Sequence, residues 1–475
     1  MAGTAGTVAD LIAAEDVLLF VNAAVTSTGQ REFHSGAGEQ RLSLAFLHEY
    51  VRINYRPLYA AVLALDINDH NAARIVVDLL RTADEATSAQ KRSEGRLIAA
   101  RLAALPPQRV YRVFRALRTA GVNNRRTRAI QRDWLAARPD LGHDAVKYRS
   151  GLKTVARHAH QPLGSELGNF LFRPGKTARY ADARLDAYRR ARYEQGAIYE
   201  LPFTVAEGFA AKHGVPRALF LERIAPRMTR LERLRTQRST GMPTDLTAMP
   251  LTRLALFVLS LSRQERHARR TELTGALRAA AARVAGPHAG GWGRVSAVLD
   301  DSYSSSGSGV KRRRPLAVAL GAHFLLEALA GSYRAHWLSG GSDALLVRPW
   351  GPSPLGTRVL DALEDSPDRL VIVSDGWDNA PPGLAGEVLR IWRTRLDGER
   401  RTSVVHLNPV YDADAFDVRR LAPSVPTAGV RDAEDLAALV EIAQFAEGRT
   451  GLPELLAYLD RRADAFLTGR GGDER

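Results

Sequence analysis

Apolar residues recur at i, i+3 and i+4 over Leu42–Tyr50, Pro57–Leu65, Ala72–Thr82, Gly95–Leu105, Val110–Thr119 and Thr127–Ala137. Each stretch predicts a helix with one buried stripe. Short breakers separate them: Asn68-Asp69, Pro106-Pro107, Gly121, and Pro139 with Gly142. Helices joined by such short turns predict an α-solenoid of stacked pairs. The same spacing predicts further helices at Ala181–Tyr193, Val205–His213, Arg217–Ile224, Thr252–Leu261 and Arg263–Val284, with 238–250 as a hinge.

From Gly286 the pattern changes. A glycine-rich loop leads into the apolar run Arg294–Leu299, and Pro315–Ala330 predicts a helix. Tyr333–Leu338, Ala344–Arg348, Arg369–Val373 and Thr402–Leu407 predict strands; Thr357–Leu363, Ala385–Arg395, Ala433–Ala443 and Pro453–Ala465 predict helices. Apolar strands alternating with helices indicate a parallel sheet covered on both faces. The expected fold is an α-helical, HEAT-like repeat solenoid over 1–284, followed by an α/β, Rossmann-like domain over 285–475.

Charge changes this picture. Of the net +15, residues 101–314 hold 41 Lys and Arg against 16 Asp and Glu, while residues 315–475 hold 17 against 24. An arginine-rich composition acting on the whole chain would not leave its last third acidic, so the middle block suggests a polyanion partner. Cysteine is absent. That excludes thiolate metal sites and disulfide staples and fits a reducing, cytoplasmic setting. The N-terminal stretch has no basic n-region and predicts no signal peptide. Pro315–Ala330 is interrupted by His323 and Glu327 and falls short of a membrane span.

Two apolar strands end in an aspartate. Asp300 opens Asp300-Asp301-Ser302-Tyr303-Ser304, and Asp375 lies in Ser374-Asp375-Gly376, with Leu355-Gly356-Thr357 between them before a helix. Asp300, Ser302, Ser304, Thr357 and Asp375 offer hydroxyl and carboxylate oxygens. That donor set suits a hard divalent cation, Mg²⁺ foremost, and leaves a coordination position open. The bland alternative is that these hydroxyls only cap helices. The spacing resembles the metal-ion-dependent adhesion site of von Willebrand factor A domains over about residues 290–445. Asp301 stands where that family often carries a small or apolar residue, and its charge beside Asp300 is expected to raise a carboxylate pKa. The run Lys311–Arg314 reads either as a solvated basic turn or as an arm that brings phosphate to the metal.

In the helical block, Arg125, Arg128 and Arg132 share one helical face, with Ile130 and Trp134 on another. Lys147, Tyr148, Arg149, Lys153, Arg157, His158 and His160 follow. Cations attract phosphates while Tyr and His stack bases. Equally, Tyr148 is open to a packing role and the two histidines to a helix end without a ligand. The segments RTRAIQRDWL and AVKYRSGLKTVARHAH, with Ala248–Leu254, resemble the TROVE module of the Ro autoantigen family, which also ends in a von Willebrand factor A domain.

The resemblance implies HEAT-like helices closed into a ring, binding single-stranded ends of misfolded or small noncoding RNAs, and Y-type RNA outside. It matches Lys147 and His160 to RNA-contacting residues; Ser150–Lys153 is shorter than the family's stretch. The RNA-binding candidates are Arg125, Arg128, Arg132, Lys147, Arg149, Lys153, Arg157 and His160. The function expected is an RNA-binding ribonucleoprotein component, monomeric, in RNA quality control or stress-linked processing. A nuclease or another protein is a further candidate partner at the metal site. The alternative is an adaptor whose metal grips a partner carboxylate. No nucleotide-binding glycine loop or catalytic triad is legible, so an enzyme is not expected.

Overall fold

In a computed structural model the described residues are 8–229, 232, 233, 236, 246–423, 425–436 and 452–469. The expected hinge over 238–250 and helix Ala433–Ala443 fall for the most part outside them. The chain divides into two compact units, one of residues 73–245 and one of residues 1–72 with 246–475. The strand-bearing unit thus takes in the N-terminal helices as well as Leu251–Ser260, Arg263–Ala268 and Arg270–Ala285.

The unit of residues 73–245 is helical. Its helices include Ser88–Ala104, Pro107–Thr119, Arg125–Ala136, Leu141–Lys147, Arg149–His158 and Ser165–Phe172. Local chemistry sets their starts. Thr87 and Gln90 form a reciprocal capping box, Pro107 opens its helix where no amide donor is needed, and Asn124 Oδ1 accepts from the Thr127 amide at 2.8 Å. Trp134 packs edge-on to Tyr111 and Phe114 and donates Nε1–H to the Leu102 carbonyl at 3.1 Å. Arg138 donates twice to the buried Asp144, which also accepts from Tyr111 OH at 2.9 Å. That network locks three helices together.

The other unit carries five parallel strands: β1 Arg294–Leu299, β2 Ser332–Trp337, β3 Arg369–Val373, β4 Ser403–Asn408 and, after a small antiparallel pair (β5 Tyr411–Asp412, β6 Asp417–Val418), β7 Thr427–Gly429. Their order is β2-β1-β3-β4-β7. On one face Val298, Leu370, Ile372 and Val404 meet Leu355, Val359, Leu363, Val388 and Leu389 of two helices. Near-continuous burial along β1, β3 and β4 is what a sheet covered on both faces requires. Ala344–Arg348 is not a strand: Asp343 caps a tight 3₁₀ turn over Ala344–Leu346. The buried Arg266 guanidinium then takes the Leu345 and Val347 carbonyls, at 2.8 and 3.0 Å, which a strand would have given to a neighbour.

Helix Val8–Thr26, which the apolar periodicity did not single out, covers the β7 edge. Asn22 accepts from the Gly429 amide at 2.9 Å and donates to Asp417 at 2.8 Å. A Cβ on Gly429 would stand 2.8 Å from Thr26 Cγ2, so the helix can lie this close only over glycine. Covering the edge strand also removes a pairing template for other chains.

His406 of β4 is fully buried, and burial pushes its pKa down from 6.5 to about 4. The unfolded chain takes up this proton near pH 6.5, the folded one only near 4, so the stability is complete above pH 6.5 and lost as pH falls toward 4. His406→Gln should flatten that acid limb, by up to about 3 kcal/mol between pH 7 and 4. Urea midpoints measured at several pH values check it; an unchanged limb overturns it.

Candidate metal centre and nucleic-acid surface

β1 and β3 are adjacent and in register, Leu299 opposite Val373, so both strands end at the same carboxyl edge. There Asp300 and Asp375 come together, each 4% exposed. Ligand sites in parallel sheets form at this edge. The Ser302 amide donates to Asp300 Oδ1 at 2.8 Å, and the Ser302 and Ser304 hydroxyls lie 3.1 Å apart. Gly307, at φ +65°, turns the loop back; a Cβ there would meet the Lys311 carbonyl at 2.4 Å. Burial, then the Asp375 charge, pushes the Asp300 pKa up to about 7. Asp301 contributes to that rise only as the smallest cause. Its carboxylate is turned to Ser339, accepting from the amide at 2.9 Å and the hydroxyl at 2.6 Å.

The structure brings Asp300, Ser302, Ser304 and Asp375 into one cluster. Thr357 is exposed in the first turn of helix Leu355–Glu364, and among the described residues no hydrogen bond links its hydroxyl to that cluster. The loop before the helix is hydrogen-bonded to the Asp300 loop. Trp350 N donates to the Asp301 carbonyl at 2.8 Å and Tyr303 N to the Gly351 carbonyl at 3.0 Å, while the buried Ser353 takes Asn379 Oδ1 on its amide at 2.8 Å. The segment 350–353 thus bridges the two aspartate loops, a role no motif announced. Among the described residues no three His, Asp or Glu side chains converge as a metal cage. A cation would rest on carboxylate, hydroxyl and water, the donor set Mg²⁺-like ions accept. None of the causes that shift the Asp300 pKa is a lysine or an arginine.

Lys311–Arg314 is neither a solvated turn nor a free arm. Lys311 pairs with the buried Glu32, Arg313 donates to the Leu259 carbonyl, and Arg314 to the Arg431 carbonyl at 2.6 Å. Arg312 is the exposed member of the run. Three of these cations serve backbone and acid groups that local sequence could not reveal, since their partners lie 54 to 279 residues away.

In the helical unit the nominated residues gather around helix Arg149–His158. Lys153 Nζ and Arg157 Cζ lie 5.6 and 5.0 Å from the ring centre of the half-buried Phe172. Lys147 stands over Tyr148 at 5.9 Å, and Tyr148 leans on Tyr111, so it packs as well as presenting an edge. His158 is buried and shares 3.1 Å with Gln131 Nε2. Burial first, then the charges of Arg118, His160 and Arg128, lower its pKa, which places those three side chains around it. His160 is exposed at φ +50°. Arg125 is exposed at its helix start.

Two of the eight are held by structure. Arg132 donates Nε–H to the Ala159 carbonyl at 2.8 Å and closes the helix end. Arg149 donates to the Phe170 carbonyl at 3.0 Å between Phe170 and Tyr188. Arg132→Ala should therefore lower stability by about 1 kcal/mol, with less effect on polyanion binding than Arg157→Ala; thermal melts and binding titrations separate the two. Arg115 and Arg118 of helix Pro107–Thr119 were missed. Arg115 reaches Ser150 Oγ at 3.5 Å and Arg118 acts on His158. Their spacing with Arg112, three residues apart each time, was a legible stripe. Among the described residues none of the eight candidates forms an ion pair with an acid, whereas neighbouring Arg126 and Arg138 do.

No protein-family model matches this chain, and no curated protein matches it. Among solved structures it is similar to the crystal structure of the Deinococcus radiodurans RO (RSR) protein, with TM-score 0.54 and 15% identity over 92% of this chain and 100% of that one. At that identity the likeness is one of fold, and the fold this chain shares is that of an RO protein.

Proposed function

We propose that this chain binds RNA, taking single-stranded ends on the face of helix Arg149–His158, as a Ro-like component of small-RNA quality control. The carrying observation is a group of basic side chains from three helices, without acid partners among the described residues: Lys153 and Arg157 beside Phe172, and Arg118 and Arg128 with His160 around His158. Phosphates meet the cations and bases meet the ring edges, a combination suited to unpaired strands. The reading includes HEAT-like stacking of the helical unit and a divalent cation, Mg²⁺ or a relative, on Asp300, Ser302, Ser304 and Asp375. Bound there, the ion would neutralise the two acids and order their loops.

The test is titration of a fluorescent single-stranded oligoribonucleotide against the protein. Lys147→Ala/Arg157→Ala/His160→Ala should lose most of the affinity while its melting curve is kept. Undiminished binding would remove these residues from the site, and clean protein that retains no RNA at low salt would favour the adaptor reading.

A further inference from the structure

The carboxyl edge of the sheet holds two large aromatic side chains in water. Tyr303 is 65% exposed and Trp350 60% exposed. A single exposed apolar residue is ordinary on a surface, but these two hang on one backbone bridge. The Tyr303 amide donates to the Gly351 carbonyl at 3.0 Å, and the Trp350 amide to the Asp301 carbonyl at 2.8 Å. The run Arg348-Pro349-Trp350-Gly351-Pro352 adds stiffness, with a proline on each side of Trp350-Gly351 and Gly351 at φ +72°. Asn379 Oδ1 accepts from the Ser353 amide at 2.8 Å and closes the loop. The backbone under both rings is fixed, so little freedom remains to be lost when a ligand binds.

The surroundings narrow the class of ligand. Arg348 Cζ lies 4.6 Å from the centre of the Trp350 ring, and among the described residues Arg348 forms no ion pair with an acid. A guanidinium over one face of the indole leaves the other face open. From Tyr303 the rings continue along the edge. Phe33 meets Tyr303 and His34 edge-on, with ring centres 5.8 and 4.8 Å apart, and His34 stacks on Trp377 at 4.5 Å. Arg419 lies 3.9 Å from the Trp377 centre, a second pairing of arginine with indole. His34 Nε2 contacts Asp375 Oδ2 at 3.4 Å and ties the row to the sheet edge. Asp300 and Asp375 themselves are buried, and the serines and glycines of 339–342 are exposed beside Asp301. A protein partner would be met by an apolar patch at the centre of its footprint; here the two exposed rings stand among serine, glycine and arginine.

We infer that Tyr303 and Trp350 form a base-stacking platform for single-stranded nucleic acid on the strand-bearing unit, with Arg348 taking a backbone phosphate. Every base has a π face, so two fixed rings hold a strand whatever its sequence. A guanidinium that lies on an indole keeps its N–H edge free for phosphate oxygens. The platform needs no metal ion and uses none of the cations around helix Arg149–His158. The inference rests on the RNA reading proposed above and adds a surface that grips a strand chiefly by its bases.

The test uses the full chain and a fluorescent single-stranded oligoribonucleotide carrying 4-thiouridine, crosslinked by light and mapped by mass spectrometry. Crosslinked peptides that contain Tyr303 or Trp350 are expected beside those of helix Arg149–His158. In Tyr303→Ala/Trp350→Ala the affinity for the oligoribonucleotide should fall roughly tenfold or more. Its affinity for inorganic polyphosphate, which has no bases, and its melting curve should stay as in the parent. Arg348→Ala should make the log–log salt dependence shallower by about 0.7. Crosslinks that never reach the strand-bearing unit, or unchanged oligoribonucleotide affinity in the double variant, overturn the platform and leave the helical surface standing. An equal loss toward polyphosphate overturns stacking as the cause. A parent protein that binds no oligoribonucleotide at low salt removes the RNA reading beneath both surfaces.

Discussion

Millimolar divalent cation should raise the melting temperature of this protein at pH 8, and the rise should fade as pH drops below about 7, the value to which burial and Asp375 push Asp300. The sign follows from linkage. Without metal, Asp300 has a folded pKa above its ordinary 3.8. Its ionisation therefore costs stability above pH 7, and the cost disappears as pH falls and the folded state keeps the proton. A cation binds the ionised pair, so metal and proton compete. At a hundredfold excess over the dissociation constant the gain is about 2.7 kcal/mol, or roughly 4 °C for a unit of this size. Asp300→Asn should abolish the metal-induced shift. It should also stabilise the metal-free protein at pH 8, because one of two buried like charges is gone. Scanning calorimetry at pH 6 and 8, with cation and with chelator, checks both. A metal-free Asp300→Asn protein that melts lower than the parent at pH 8 would show that the carboxylate is held by something other than a cation.

The second large effect concerns RNA. Replacing Arg118, Arg128, Lys153 and Arg157 by alanine should reduce affinity for a single-stranded oligoribonucleotide by one to two orders of magnitude. The log–log salt dependence should become shallower by up to about 2.8, since each phosphate contact contributes about 0.7 on single strands. Two of these side chains are intermediate in exposure and none is paired with an acid among the described residues, so the folded state should tolerate the change. Circular dichroism verifies that. The Arg126–Glu94 pair offers the internal control: Arg126→Ala removes a cation that is already neutralised and should weaken RNA binding far less. Equal losses from both variants would mean that net charge, not this surface, drives association.

Much of this was legible along the chain. Period-3.6 stripes located most helices of residues 37–285 to within a few residues, because a helix that buries one face must write that face into its sequence. Apolar runs ending in Asp300 and Asp375 located the central strands and the edge at which a ligand would sit, since a strand covered on both faces has no alternation to hide it. The gathering of cations in the second quarter was legible too. Which of them are free was not. Arg132 and Arg149 differ from Lys153 and Arg157 in donating to main-chain carbonyls, those of Ala159 and Phe170.

Local sequence determined the elements, the order of the aspartates and the sign of the middle block. Tertiary structure alone decided three things: that Lys311, Arg313 and Arg314 are internal ties, that Asp301 turns away to Ser339, and that His34 stands beside Asp375. Each depends on groups brought together from distant positions. Hydrogen bonds and charge pairs act over a few ångströms of space and carry no trace in the spacing of residues along the chain.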